Sequence, residues 1–225
     1  MPVYILADDA YFFPPAEFAD EDGFLAIGGD LCAERLLNAY SRGIFPWYNP
    51  GEIIQWWCPK ERFVILPKNI HISKSMKKVM KHTSLEVRFN TGFADVIRSC
   101  KMTREGQTWI TDEMEAAFNN LFDIGHALSV GVYDGDTLVG GLYGVVIGEC
   151  FFGESMFSKA ANASKLALIH LCRRLHSEGF VFVDCQFHTE HLETMGGQYM
   201  SWKNYKRLLR IGTYYSEFKL PKSTK

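Results

Sequence analysis

Asp184 and Gln186 close an almost continuous apolar run, Val181-Phe182-Val183-Asp184-Cys185-Gln186. If that run is a strand, alternation points both side chains to one face. A carboxylate and an amide there are either satisfied partners of a neighbouring loop or a site, with an acid shifted by burial beside a fixed hydrogen-bonding group. Glu154 poses the same choice. It lies between Phe151-Phe152 and Met156-Phe157, and a buried acid needs a partner, either a structural cation or the cationic group of a ligand. Phe151 and Met156, with Leu168, Leu171 and Leu175 at helical spacing, read either as plain core or as the wall of an apolar pocket.

Lys74, Lys77, Lys78 and Lys81 recur at i, i+3, i+4 and i+7, one stripe on a helix whose other face carries Met76, Val79 and Met80. The stripe is a solvated face or, in a chain of net charge −2, a local patch for phosphates. Lys203, Lys206, Arg207 and Arg210 repeat the spacing. Trp47, Trp56, Trp57 and Trp109 are core residues or exposed surfaces on which a splayed base stacks. Several chemistries are absent. The six cysteines form no CxxC pair and read as free thiols, and His188 and His191 lack a matching pair for zinc, so no metal is expected. There is no GxxxxGK[ST] loop for ATP and no G-x-S-x-G elbow. Ser158-Lys159-Ala160-Ala161-Asn162 has no glycine to cradle a pyrophosphate, which argues against coenzyme A; no cofactor is expected.

The elements that must position these residues follow from periodicity. Helices are predicted over about 31–42, 74–82 (Ser73 as cap), 92–100, after Thr111 to Gly125, 162–178 and 202–210, the last preceding a charged tail. Ala127–Tyr133 and Thr137–Ile147 around Asp134-Gly135 predict a hairpin, followed by strands near 150–156 and 180–186. Helices, then an antiparallel hairpin, then strand–helix–strand is an α+β order compatible with an acetyltransferase-like core. The Pro- and aromatic-rich first 60 residues predict a small N-terminal domain, 1–60, packed on a larger one, 61–225. With 47% hydrophobic and 22% charged residues the chain is expected to be globular. No apolar run reaches the roughly 18 residues of a membrane span. Met1 to Phe13 has no basic n-region and carries Asp8 and Asp9, so a cytoplasmic protein is expected.

The chain resembles the leucyl/phenylalanyl-tRNA–protein transferases. The matching stretches are Gly28-Gly29-Asp30-Leu31, Arg35 through Trp47, Trp56-Trp57-Cys58-Pro59, His71 through Lys77, Thr108-Trp109-Ile110, Gly140 through Gly144, Phe152 through Ser158, Ala163-Ser164-Lys165 and Asp184-Cys185-Gln186, in the family's order. The resemblance implies a small N-terminal α/β domain on a GNAT-like domain with a mixed, mostly antiparallel sheet, working without coenzyme A as a monomer. It implies transfer of leucine or phenylalanine, methionine less well, from aminoacyl-tRNA to proteins beginning with Arg or Lys, marking them for N-end-rule degradation. It assigns catalysis to Asp184, Gln186 and Glu154. The aminoacyl pocket falls on Leu142, Phe151, Met156, Leu168, Leu171 and Leu175, the 3′-adenosine on Trp47 and Trp109, and the tRNA stem on Lys74, Lys77, Lys78 and Lys81. One departure stands out: Leu128-Ser129-Val130-Gly131 replaces a family pattern of His-Ser-Val/Ile-Glu. The residues alone leave three rivals: an acyl-CoA N-acetyltransferase, a non-catalytic RNA-binding module and an aminoacyl transferase acting on a cell-wall precursor.

Overall fold

The computed structural model describes residues 3–7, 10–103 and 108–214. Asp8, Asp9 and the charged tail beyond residue 214 lie outside the described residues. The elements run β1 (Tyr4–Leu6), β2 (Phe24–Gly28), α1 (Ala33–Ser41), β3 (Phe45–Pro46), β4 (Gln55–Trp57), β5 (Glu61–Ile65), α2 (Lys74–His82), β6 (Glu86–Phe89), α3 (Phe93–Met102), α4 (Asp112–Asp123), β7 (Ala127–Asp134), β8 (Thr137–Ile147), β9 (Cys150–Ser158), α5 (Ala163–Ser177), β10 (Phe182–Asp184), α6 (Glu190–Thr194), β11 (Gln198–Ser201) and α7 (Trp202–Thr213). The expected cap at Ser73 forms, its Oγ accepting from the Met76 amide, and Thr111 Oγ1 likewise accepts from the Met114 amide, fixing the starts of α2 and α4. The N-cap residue of α1 is Cys32 and not Asp30, whose Oδ1 accepts from the Cys32 amide. No helix of the described residues is long and apolar enough to cross a membrane.

Two mixed sheets make the α+β fold. A four-stranded sheet, β1-β2-β4-β3, is built from the first 57 residues, and a seven-stranded sheet, β11-β5-β10-β9-β8-β7-β6, begins at Glu61. The large sheet is antiparallel except for the pair β9–β10, which α5 connects. An antiparallel meander leading into strand–helix–parallel strand is the acetyltransferase-like arrangement that the element order predicts. Consecutive residues face opposite layers. Phe152, Phe182 and Val64 pack with Tyr40, Phe118, Tyr143 and Tyr205 on one side, while Phe151, Val183 and Ile65 pack with Leu166, Leu168 and Leu171 of α5 on the other. β10 is therefore apolar throughout because both its faces are covered. The first of these layers also contains Leu36, Phe45 and Trp56, so a continuous apolar core joins the small sheet to the large one.

Two local irregularities create the site. Tyr143 of β8 faces Ser155 of β9, but the next residue, Gly144, faces Gly153. Glu154 is thus an extra residue in β9, a bulge that turns its side chain out of the ladder. Gly144 is required there: a Cβ would lie 2.1 Å from the Phe152 carbonyl oxygen and 2.5 Å from Cζ of Phe151. The second irregularity ends β10. Its pairing with β9 stops at Asp184–Phe152, and two residues later Gln186 adopts a left-handed conformation, φ 62°. β9 continues alongside β8 while the chain beyond β10 turns away, so the sheet splits between Glu154 and Gln186.

Candidate active site

A cavity of about 570 Å³ opens at this split. Leu142, Phe151, Met156, Leu168 and Leu171 line its apolar end, joined by Val183 and Cys185. Trp47, Trp109 and Phe187 surround its mouth, the buried Phe45 lines the cavity, and Glu154, Ser155 and Gln186 supply polar groups. Of the expected pocket residues only Leu175 does not line the cavity; it is fully buried in the layer beneath α5.

The polar groups form one chain of contacts. The Tyr40 hydroxyl donates to Oε1 of Glu154 at 2.7 Å, and the Gln186 side-chain amide donates to the same oxygen at 3.0 Å. No hydrogen bond from the described residues ends on Oε2. Burial pushes the Glu154 carboxyl up from 4.5 to about 8, against the pull of the two donors. The acid is thereby poised near neutrality, the range in which a proton acceptor works best.

Asp184 does not alternate onto the same face as Gln186, as an unbroken strand to 186 would require. The strand ends at Asp184, and its carboxylate points away from the cavity into a fully enclosed cluster. Arg62 holds it with Nη2 at 2.7 Å from Oδ2 and Nε at 3.2 Å from both oxygens. The Tyr205 hydroxyl donates to Oδ2 at 2.6 Å, and the Gln186 backbone amide to Oδ1 at 2.8 Å. Both Asp184 and Arg62 are 0% exposed, and the guanidinium lies 4.8 Å from the Phe45 ring and 4.9 Å from the Tyr205 ring. Four donors thus occupy the carboxylate. Its clearest structural effect is to hold the Gln186 backbone in its left-handed turn, a conformation that a non-glycine residue keeps only when its surroundings impose it.

The tryptophans divide. Trp47 is 42% exposed, packed at 5.2 Å against Phe187 and 5.5 Å against Trp57. Trp109 is half-buried across the mouth. Trp56 is a core residue, fully buried, and its Nε1 donates to the Gly28 carbonyl oxygen; Trp57 is half-buried, and its Nε1 donates to the Trp47 carbonyl oxygen. Lys74, Lys77, Lys78 and Lys81 are all exposed on α2, with no ion-pair partner among the described residues, while Met76 is buried. Gly131 lies outside the cavity lining. It pairs with Gly141, and the Tyr133 ring fills the space where a Cβ would sit. Leu128 is a core residue. Sequence reasoning missed Arg62, Tyr40 and Phe187. A buried arginine in the Lys-Glu-Arg segment carries no periodic signal, and Tyr40 reads as one more apolar position of α1.

The family model described as leucyl/phenylalanyl-tRNA protein transferase matches residues 64–210, and that of the N-terminal domain of the same proteins matches residues 29–60. The leucyl/phenylalanyl-tRNA–protein transferase of Thiobacillus denitrificans is 50% identical over 194 residues, 84% of this chain and 85% of its own. That of Nitrosomonas europaea is 50% identical over 190 residues, 83% and 80% of the two chains. Two solved structures are similar at much lower identity. The paia N-acetyltransferase of Thermoplasma acidophilum in complex with coenzyme A covers 44% of this chain and 76% of its own at 15% identity, with a TM-score of 0.32. The L-PGS structure from Bacillus licheniformis covers 91% and 77% at 11% identity, with a TM-score of 0.40. Both structural likenesses are too slight to argue from.

Proposed function

The chain belongs to the leucyl/phenylalanyl-tRNA–protein transferase family, and from that premise we propose how its site transfers an aminoacyl group. The donor is leucyl- or phenylalanyl-tRNA, with methionyl-tRNA used less well. The acceptor is a protein with N-terminal Arg or Lys, which the added bulky residue marks for N-end-rule degradation in the cytoplasm. The enzyme works as a monomer. Residues 1–60 form a small domain that contributes Tyr40 and, through Trp47, part of the mouth; residues 61–225 form the catalytic domain.

The donor side chain enters the apolar end of the cavity against Leu142, Phe151, Met156, Leu168 and Leu171. Such a wall discriminates poorly between apolar side chains of near-equal size, which suits a site that takes more than one. The terminal adenosine stacks at Trp47 and Trp109, and the phosphates of the stem meet Lys74, Lys77, Lys78 and Lys81. The exposed Glu190, next to the lining residues Thr189 and His191, complements a cationic acceptor side chain.

The donor ester is already activated, so the reaction needs positioning and one proton transfer. The α-amine of the acceptor attacks the ester carbonyl carbon. A C–N bond forms, the bond from that carbon to the tRNA ribose oxygen breaks, and the amine loses a proton. Glu154 takes that proton on Oε2, the oxygen that accepts no hydrogen bond from the described residues, and returns it to the departing ribose oxygen. Gln186 holds Oε1 and presents the remainder of its amide to the reacting amine. Asp184 acts behind Gln186 as a positioning residue. The observation that supports this assignment most is the contrast between a carboxyl held near pH 8 at the cavity and one enclosed by Arg62, Tyr205 and the Gln186 amide.

The reaction is tested by presenting leucyl-tRNA and an Arg-initiated peptide, with the N-acetylated peptide as control, and weighing the products. Leucine added only to the free-amine peptide is expected. No transfer to either peptide would overturn the reading.

A further inference from the structure

We propose that the outer face of α7 is a second tRNA-backbone surface, at the β11 end of the large sheet and on the face opposite α2. This rests on the reading of the chain as a tRNA-dependent transferase. β11 is the edge strand of the large sheet and pairs only with β5. The chain leaves β5 for α2 and leaves β11 directly for α7. The buried side of α2, through Met76, belongs to the apolar layer under α5, whereas Tyr205 and Leu209 of α7 belong to the opposite layer. Two basic helices therefore lie on opposite faces of the large sheet, with α7 at the β11 end.

Their outer faces carry the same register. Lys203, Lys206, Arg207 and Arg210 fall at i, i+3, i+4 and i+7, as the four lysines of α2 do. With Ile211 and Tyr214 they line a shallow groove. Lys206 is engaged with Glu17. Lys203, Arg207 and Arg210 are exposed and have no acidic partner among the described residues, and α7 itself contains no Asp or Glu. A net charge of −2 over the whole chain makes an uncompensated cluster of this kind a local feature. Lys203 to Arg210 spans roughly 10 Å along the helix at 1.5 Å per residue, which matches about three consecutive phosphates of one strand. The inner face of the same helix holds Asp184 through Tyr205. Backbone phosphates on α7 thus lie one helix diameter, about 10 Å, from the strand that carries the catalytic turn.

The test is uncharged tRNA binding measured across a salt series. The variants are Lys203→Gln/Arg207→Gln/Arg210→Gln, the charge-retaining Lys203→Arg/Arg207→Lys/Arg210→Lys, and Lys77→Gln/Lys78→Gln on α2, each with its thermal unfolding. Removing the three α7 charges is expected to weaken binding about tenfold or more and to lower the slope of log K against log salt by about 2 to 3. The charge-retaining variant should bind within about twofold of wild type, because phosphate contacts of this kind depend chiefly on charge. If the α7 variant binds as wild type does while the α2 variant is weakened, or if α7 charge governs binding to anionic vesicles and leaves tRNA untouched, this inference fails and the transferase reading stands. If the wild-type protein binds no tRNA in a salt-dependent way, both fail.

Discussion

Asp184 and Glu154 are both buried carboxyls, and Gln186 touches both, through its backbone amide and its side-chain amide respectively. Their surroundings are opposite. Asp184 meets a guanidinium, a phenol and an amide, all donating to it, and it stays enclosed. Glu154 meets only neutral donors, both on one oxygen, at the wall of a cavity. A buried ion pair with every lone pair used is architecture. A buried acid raised to about 8, with one oxygen that accepts nothing from the described residues, is suited to moving a proton. Neighbouring acids in one site can thus divide the work, one fixing the loop and the other carrying the chemistry.

The largest expected effect separates the two on activity and stability together. Glu154→Gln keeps the hydrogen bonds from Tyr40 and Gln186 within reach and should lower kcat by about 10²–10⁴-fold, the usual contribution of general base catalysis, with little loss of stability. Single-turnover transfer together with urea unfolding checks both halves. Arg62→Ala should instead unfold the protein more easily, by about 3–5 kcal/mol, because it leaves the Asp184 charge buried without its cation; the denaturation midpoint reads this directly. Were Arg62→Ala to leave stability unchanged, the architectural half of the comparison would be lost.

A smaller effect compares the two tyrosines. Tyr40 donates to the Glu154 carboxylate and so favours its charged form; Tyr40→Phe should move the pH–rate profile to higher pH. Tyr205→Phe removes the matching donor from Asp184 and should cost about 1–3 kcal/mol of stability while leaving the profile in place. Identical shifts in the two variants would erase the distinction.

The smallest effect is on the stability curve. Glu154 is held above its unfolded value of 4.5, so folding favours its protonated form. Its contribution is fully present below pH 4.5 and is lost as pH rises towards about 8. Relative to Glu154→Gln, the wild-type Tm should therefore decline across that window, and a rising difference would carry the wrong sign.

Much of this scaffold was legible beforehand, and the failures have physical causes. The long amphipathic helices α2, α4 and α5 and the hairpin β7–β8 follow from period and turn chemistry, since Ser73, Thr111 and Asp134-Gly135 mark their limits. The sequence predicts a strand that runs on to Gln186 because Cys185 continues an apolar run. What ends it is the loss of pairing beyond Phe152, a tertiary event that periodicity does not carry. The Arg62–Asp184 pair joins residues 122 apart in sequence. The bulge at Glu154 had left a trace: Phe152 and Phe157 are an odd number of residues apart, yet both pack in the same layer, which strict alternation forbids. Of the stripe Leu168, Leu171, Leu175, the first two line the cavity and the third does not, since a helix facing a cavity buries its far end against the sheet. Trp56 went to the core and Trp47 to the mouth, and composition alone does not separate them.

The measurement that bears most directly on the account is the pH dependence of single-turnover leucine transfer by wild type and by Glu154→Gln. Single-turnover conditions at saturating acceptor isolate the chemical step. Because the acceptor α-amine itself titrates near 8, it is the difference between the two enzymes that reports on Glu154. The account predicts a wild-type rate that climbs through about pH 8 and a variant that is slower by orders of magnitude and has lost the component due to the enzyme. A Glu154→Gln enzyme with the wild-type rate and profile would contradict it and return the proton to Asp184 or to the substrates themselves.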